Sequence, residues 1–145
     1  MKIYTIGFTK KNAKTFFGLL DKPDLKRLVD VRLNNSSQLA GFAKRDDLDF
    51  FLNRIRGIPY EHLPDLAPTQ DILDDFKKKK GEWSVYEKKF LALMRERHIE
   101  ETIPRETLDG GCLLCSEDKP HLCHRRLVAE YLQEKWGDVE VEHLG

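Results

Sequence analysis

The stretch from Gly110 to Trp136 constrains the fold more than any other part of the chain. It opens on paired glycines and an apolar run, Cys112-Leu113-Leu114-Cys115, short enough to be one fully buried strand. A polar turn follows, Ser116-Glu117-Asp118-Lys119-Pro120. The apolar residues then recur at helical spacing through Leu127, Val128, Tyr131, Leu132 and Trp136. A strand that is apolar throughout and feeds directly into a helix belongs in a parallel sheet covered on both faces. Ligands bind at such strand-to-helix turns in open α/β sheets. The helix start adds unpaired N–H groups and the positive end of a dipole.

Other segments repeat the pattern. Ile3-Tyr4-Thr5-Ile6-Gly7 reads as a first strand, with Thr9 placed to cap a helix whose apolar face is Ala13, Phe16, Phe17 and Leu20. Leu28-Val29-Asp30-Val31-Arg32 reads as a second strand, with Val29 and Val31 on one face and Asp30 and Arg32 on the other. Asp46 or Asp47 caps a helix carrying Leu48, Phe51, Leu52 and Ile55, which Gly57 ends. Ile58 to Leu63 is a third strand, and Val139 to His143 alternates strictly, as a half-exposed edge strand does. From 64 to 106 the pattern is helical and reads as an insertion covering one end of the sheet.

Residues 1–145 therefore read as a single α/β domain. The expected fold is a three-layer sandwich: a mainly parallel five-stranded sheet, order 3-2-1-4-5, with helices on both faces. In that order the switch point falls between strands one and four. Gly7 and Thr9 then stand beside Cys115 and Glu117, with Arg32 one strand away.

The chain carries 25 Lys+Arg and 25 Asp+Glu, a formal net charge of zero, which excludes a surface that is wholly a nucleic-acid footprint. No apolar run approaches the length of a membrane span, and three cysteines form no small-domain disulfide framework. A cytoplasmic protein with reduced thiols, without a membrane partner, is expected. G-x-G-x-x-G is absent, and no cofactor is assigned.

The chemistry-bearing residues cluster at the turn after Cys115. A buried carboxylate must be paired, so Asp30 should meet an arginine, Arg32 or Arg125. It either holds the loop as a salt bridge or orients the arginine towards an anionic ligand. Cys123 lies near a helix N-terminus with His124, Arg125 and Arg126 close by, surroundings that lower a thiol pKa, although a small buried cysteine would also fit there. Cys112, Cys115, Cys123 and His124 have the types of a zinc set. Residues three apart in a strand point to opposite faces, however, so Cys112 and Cys115 should not converge, and no metal is assigned. The helix amides with Arg32 and Arg125 suit phosphate or carboxylate, and Glu117 can serve as general acid or base. His62, at the end of the third strand, is a further candidate.

T-I-G near the N-terminus, V-D-V-R after the second apolar run, G-I-P-Y-E-H and L-L-C-S-E-D-K-P-H-L-C-H-R-R-L-V-A together resemble the family called domain of unknown function 488. The resemblance implies a compact α/β domain of bacteria and archaea with no securely established reaction. It marks Gly7, Asp30, Arg32, Ser36 or Ser37, His62, Cys115, Glu117, Cys123, His124 and Arg125 as motif residues.

Two functional readings follow. One is an enzyme acting on a small phosphate-bearing substrate, a nucleotide or a nucleic-acid end, with Glu117, Cys123 and His124 as catalytic groups. Gly7, Thr9, Asp30, Arg32, Ser36, His62, Cys115 and Arg125 would then bind the ligand. The other is a module that binds such an anion, or nucleic acid, without catalysis. A structural zinc domain is the remaining alternative.

Overall fold

A computed structural model describes residues 1–35 and 41–145. The strands are β1 (Lys2–Gly7), β2 (Arg27–Asp30), β3 (Tyr60–His62), β4 (Gly111–Cys115) and β5 (Glu140–His143). The helices are α1 (Ala13–Leu19), α2 (Arg45–Phe51), α3 (Gln70–Lys77), α4 (Trp83–Arg97), α5 (Ile99–Thr102), α6 (Arg105–Leu108) and α7 (His124–Trp136). Among the described residues, no helix is long and apolar enough to cross a membrane.

The five strands form one sheet, parallel at every pairing. Its order is β3-β2-β4-β1-β5. The α/β sandwich is as expected, but β1 and β4 have exchanged places relative to 3-2-1-4-5. Right-handed crossovers allow both orders, so connection rules do not separate them. Burial does. All five residues of β4 are buried, and an apolar strand covered on both faces belongs at the centre.

Side chains alternate along each strand, so each face has its own core. Tyr4, Ile6, Leu28, Cys112 and Leu114 pack with Phe16 and Phe17 of α1 and Leu48 of α2. Ile3, Val29, Val31, Leu113 and Cys115 pack with Phe90 and Met94 of α4 and Leu127, Val128 and Leu132 of α7. The helical stretch of 64–106 thus lies along a face of the sheet; the apolar stripe of α4 needs that area to bury it.

The helices start on different residues from those expected. Asn12, not Thr9, caps α1, its side chain accepting from the Thr15 amide at 2.8 Å. Asp46 and Asp47 sit inside the first turn of α2, where carboxylates favour the helix dipole, and Lys44 holds the cap position. Gly57 does end its helix, in the left-handed conformation at φ 67°.

This topology sets up the site. The connections leaving β1 and β2 run over one face, and the connection leaving β4 runs over the other. Both neighbours of β4 therefore send the chain away from it, which leaves two crevices at its carboxyl end, one against β1 and one against β2. Arg32, expected one strand further off, follows the strand paired directly with β4.

Candidate functional site

The crevice between β1 and β4 is filled by the chain itself. Gly7 pairs with Cys115 at the strand ends. The loop beyond β4 crosses so close that a Cβ on Gly7 would lie 1.6 Å from the Glu117 carbonyl oxygen. Thr9 donates to the Ser116 carbonyl through its amide at 3.0 Å and its hydroxyl at 2.5 Å. Arg125, with no exposed surface, donates to the Glu117 carbonyl at 2.6 Å, the Asp118 carbonyl at 3.4 Å and the Thr5 hydroxyl at 3.3 Å. Lys11 pairs with Asp118 at 2.8 Å.

The crevice between β2 and β4 is open. It holds a cavity of about 200 Å³ whose lining includes Arg32, Cys115, Cys123 and His124, all buried, with Phe76 and Trp83 as aromatic wall. Lys77 and Glu117, joined at 2.6 Å, are half-exposed and also line it.

Arg32 is 4% exposed and forks onto Asp30, Nε to Oδ1 at 2.9 Å and Nη2 to Oδ2 at 2.8 Å. Asp30 also accepts from the Arg32 amide at 3.1 Å and the Tyr60 hydroxyl at 2.5 Å. The Asn35 side chain donates to Tyr60 at 3.1 Å, and His62 Nε2 donates to the Arg32 carbonyl at 2.8 Å. Among the described residues, one buried donor of this assembly is left over. Arg32 Nη1 is buried and has no hydrogen-bond partner among the described residues. Leaving a buried donor unmatched costs about 1–3 kcal/mol.

Beside Arg32, Cys115 Sγ lies 3.6 Å from His124 Nδ1, and His124 Nε2 contacts the Val31 carbonyl at 2.7 Å. A carbonyl only accepts, so Nε2 carries a proton, and Nδ1 is the nitrogen that faces the Cys115 sulfur. The Cys123 thiol also hydrogen-bonds Cys115, and this bond holds Cys115 well below the usual thiol range against the effect of burial; His124 and Arg125 act in the same direction. Burial, then the Cys115 charge, pushes Cys123 well up. For His124 burial opposes the charged form, but the Cys115 charge, its hydrogen bond and the Val31 carbonyl outweigh it and raise the pKa. Cys112 lies on the opposite face of the sheet, where burial pushes its thiol up.

Helix α7 starts at this point. Cys123 occupies its cap position and makes no side-chain capping bond. The Glu117 and Asp118 side chains are paired with Lys77 and Lys11.

Of the residues nominated from sequence, Arg32, Cys115, Glu117, Cys123 and His124 line one cavity. Asp30 and His62 stand behind Arg32 and fix it. Gly7, Thr9 and Arg125 build the filled crevice. Ser36 and Ser37 fall outside the described residues. Sequence reasoning passed over Tyr60, Lys77, Phe76 and Trp83. Tyr60 had a signal, since it stands two residues before His62 and points the same way from the strand.

A family model described as domain of unknown function DUF488 matches residues 12–132, and the chain belongs to that family. No curated protein and no solved structure matches the chain.

Proposed function

We propose that this DUF488 domain binds a small phosphate-bearing ligand, of the size and kind of a mononucleotide, in the crevice between β2 and β4. The observation that carries the reading is Arg32. Its guanidinium is buried, fixed by Asp30 on one edge, and left with one donor unmatched among the described residues beside the cavity. A phosphate oxygen at Nη1 would supply the missing acceptor, and a charge-assisted bond of that kind contributes about 1.5–3 kcal/mol. The start of α7 adds amides and a dipole suited to the same anion. Phe76 and Trp83 offer an apolar surface on which a base or other flat group can rest. The small size of the cavity and zero formal net charge favour a small anion over duplex nucleic acid, which draws affinity from many phosphate contacts. Three free thiols fit work in a reducing cytoplasm.

Isothermal titration of the purified protein with inorganic phosphate and with a nucleoside monophosphate tests the reading. The nucleotide should bind more tightly than phosphate. Arg32→Lys, which keeps a charge for Asp30 but not the planar fork, should weaken both by about tenfold or more. Absence of binding by either probe at millimolar concentration, or equal binding by a folded Arg32→Lys protein, overturns it.

A further inference from the structure

The residues around the cavity carry a second feature that phosphate binding does not explain. The ligand atoms of Cys115, Cys123 and His124 all lie within 4.8 Å of one another, and all three residues are buried. We propose that they hold one thiophilic divalent cation, zinc by preference, whose fourth position opens to the cavity.

The geometry supports a metal at three points. Zinc–sulfur bonds of about 2.3 Å and zinc–nitrogen bonds of about 2.0 Å, set at a tetrahedral angle, place the two ligand atoms about 3.5 Å apart. Cys115 Sγ and His124 Nδ1 are 3.6 Å apart. Second, His124 is oriented as a ligating histidine is, with its far nitrogen donating to a backbone carbonyl, Val31, at 2.7 Å. That bond leaves Nδ1 as the nitrogen that faces Cys115, free to ligate. Third, two elements supply the ligands from fixed positions: Cys115 ends β4, and Cys123 and His124 open α7. Two thiolates and an imidazole are the donor types that select zinc.

Coordination number follows from the strand. Cys112, which would complete a Cys3His set, lies in the core on the opposite face of the sheet. A set of three protein ligands is the pattern of a site that keeps a position for water or substrate, whereas structural zinc takes four. The fourth ligand would come from the cavity, where Arg32 also faces the occupant. Two thiolates neutralise a divalent cation, so the buried site gains no net charge from the three groups together.

The inference does not rest on phosphate binding, and one experiment separates them. Metal-free wild-type protein is titrated with cobalt(II), then with zinc, in reducing buffer, and read by its absorption. One equivalent should bind, with sulfur-to-cobalt charge-transfer bands and the intense visible bands of a tetrahedral ion, and zinc should displace it. Cys115→Ser, Cys123→Ser and His124→Ala should each lose stoichiometric binding, and Cys112→Ser should keep it. Wild-type protein that binds no equivalent of either ion, or binds cobalt without sulfur charge transfer, overturns the proposal. So does a folded Cys112→Ser protein that loses the metal as fully as Cys115→Ser. If a ligand variant does not fold, the wild-type spectrum still decides. A metal that binds while phosphate and nucleotide do not would remove the phosphate reading and leave this one standing.

Discussion

Two crevices flank β4, each with a buried arginine at its floor, and only one is open. Against β1, Arg125 spends its donors on the carbonyls of Glu117 and Asp118 and on Thr5, and the loop lies on Gly7. Against β2, Arg32 forks onto Asp30 and, among the described residues, keeps Nη1 unmatched beside the cavity. Residue type and burial are the same in both. What differs is whether the chain's own acceptors consume the donors. Backbone carbonyls close the first crevice, whereas the Asp30 carboxylate takes one edge of the Arg32 guanidinium and leaves Nη1 unmatched among the described residues.

The sharpest way to break this contrast is to remove the carboxylate. Asp30 is fully buried and accepts from both edges of its network, Arg32 and Tyr60. Asp30→Ala leaves the Arg32 charge buried and unpaired, and breaking such a pair from one side costs about 3–5 kcal/mol. Urea unfolding should show that loss. An unchanged midpoint would mean that Arg32 has a second partner and that its free donor is no sign of a ligand.

The filled crevice is tested at Gly7. An added methyl would overlap the Glu117 carbonyl and approach Arg125 Nη1 at 2.9 Å, so the loop must shift or the strand must bend. Overpacking of this kind costs about 1–3 kcal/mol. Gly7→Ala should therefore lower the melting temperature. Were it tolerated without loss, the loop could lift off β1, and both crevices would be capable of opening.

These two positions also show what the sequence disclosed. Asp30 within an apolar strand demanded a partner, and the demand was met by Arg32. The opposite faces of Cys112 and Cys115 followed from strand geometry alone. The exchange of β1 and β4 did not follow from connectivity, yet β4 is apolar on both faces, while β1 carries Tyr4 and Thr5 with polar atoms bonded to Asp24 and His143. That difference points to the more central strand. Gly7, Thr9 and Arg125 looked like ligand groups because their types suit anions. Periodicity carries no record of the path of residues 116–118, and that path is what satisfies them. Phe76 and Trp83 were equally illegible, since a cavity wall and a core stripe obey the same helical spacing.

A smaller effect belongs to Tyr60, which donates to the Asp30 oxygen that Arg32 Nη2 also uses. Burial, followed by the hydrogen bond to Asp30, pushes the phenol pKa well up. Tyr60→Phe removes one of several donors and should cost about 1.5 kcal/mol, less than Asp30→Ala. Phosphate affinity should stay within a few-fold of wild type, because Arg32 keeps its fork. A loss of binding as large as that from Arg32→Lys would show that Tyr60 touches the ligand and does not merely hold Asp30.

The smallest effect concerns the filled crevice and pH. Arg125 Nε donates to the Thr5 hydroxyl at 3.3 Å, and Thr5 lies 2.6 Å from His143 Nδ1 on the edge strand β5. With its oxygen accepting from Arg125, Thr5 gives its own proton to a neutral His143. Protonating Nδ1 would replace that acceptor with a donor. Partial burial of the ring, then the Arg125 charge and weakly that of Arg126, lower the His143 pKa, and Glu130 opposes them only in part. The native state thus binds fewer protons than the unfolded chain, whose histidines titrate near about 6.5. The stabilising contribution is complete above that pH and is lost as pH falls from it through the lowered native value. His143→Gln retains an acceptor without the titration. The fall in unfolding midpoint between pH 8 and pH 5 should therefore be smaller in His143→Gln than in wild type. Equal slopes in the two proteins would mean that Thr5 is not committed to Arg125, and that the filled crevice is held by the loop carbonyls alone.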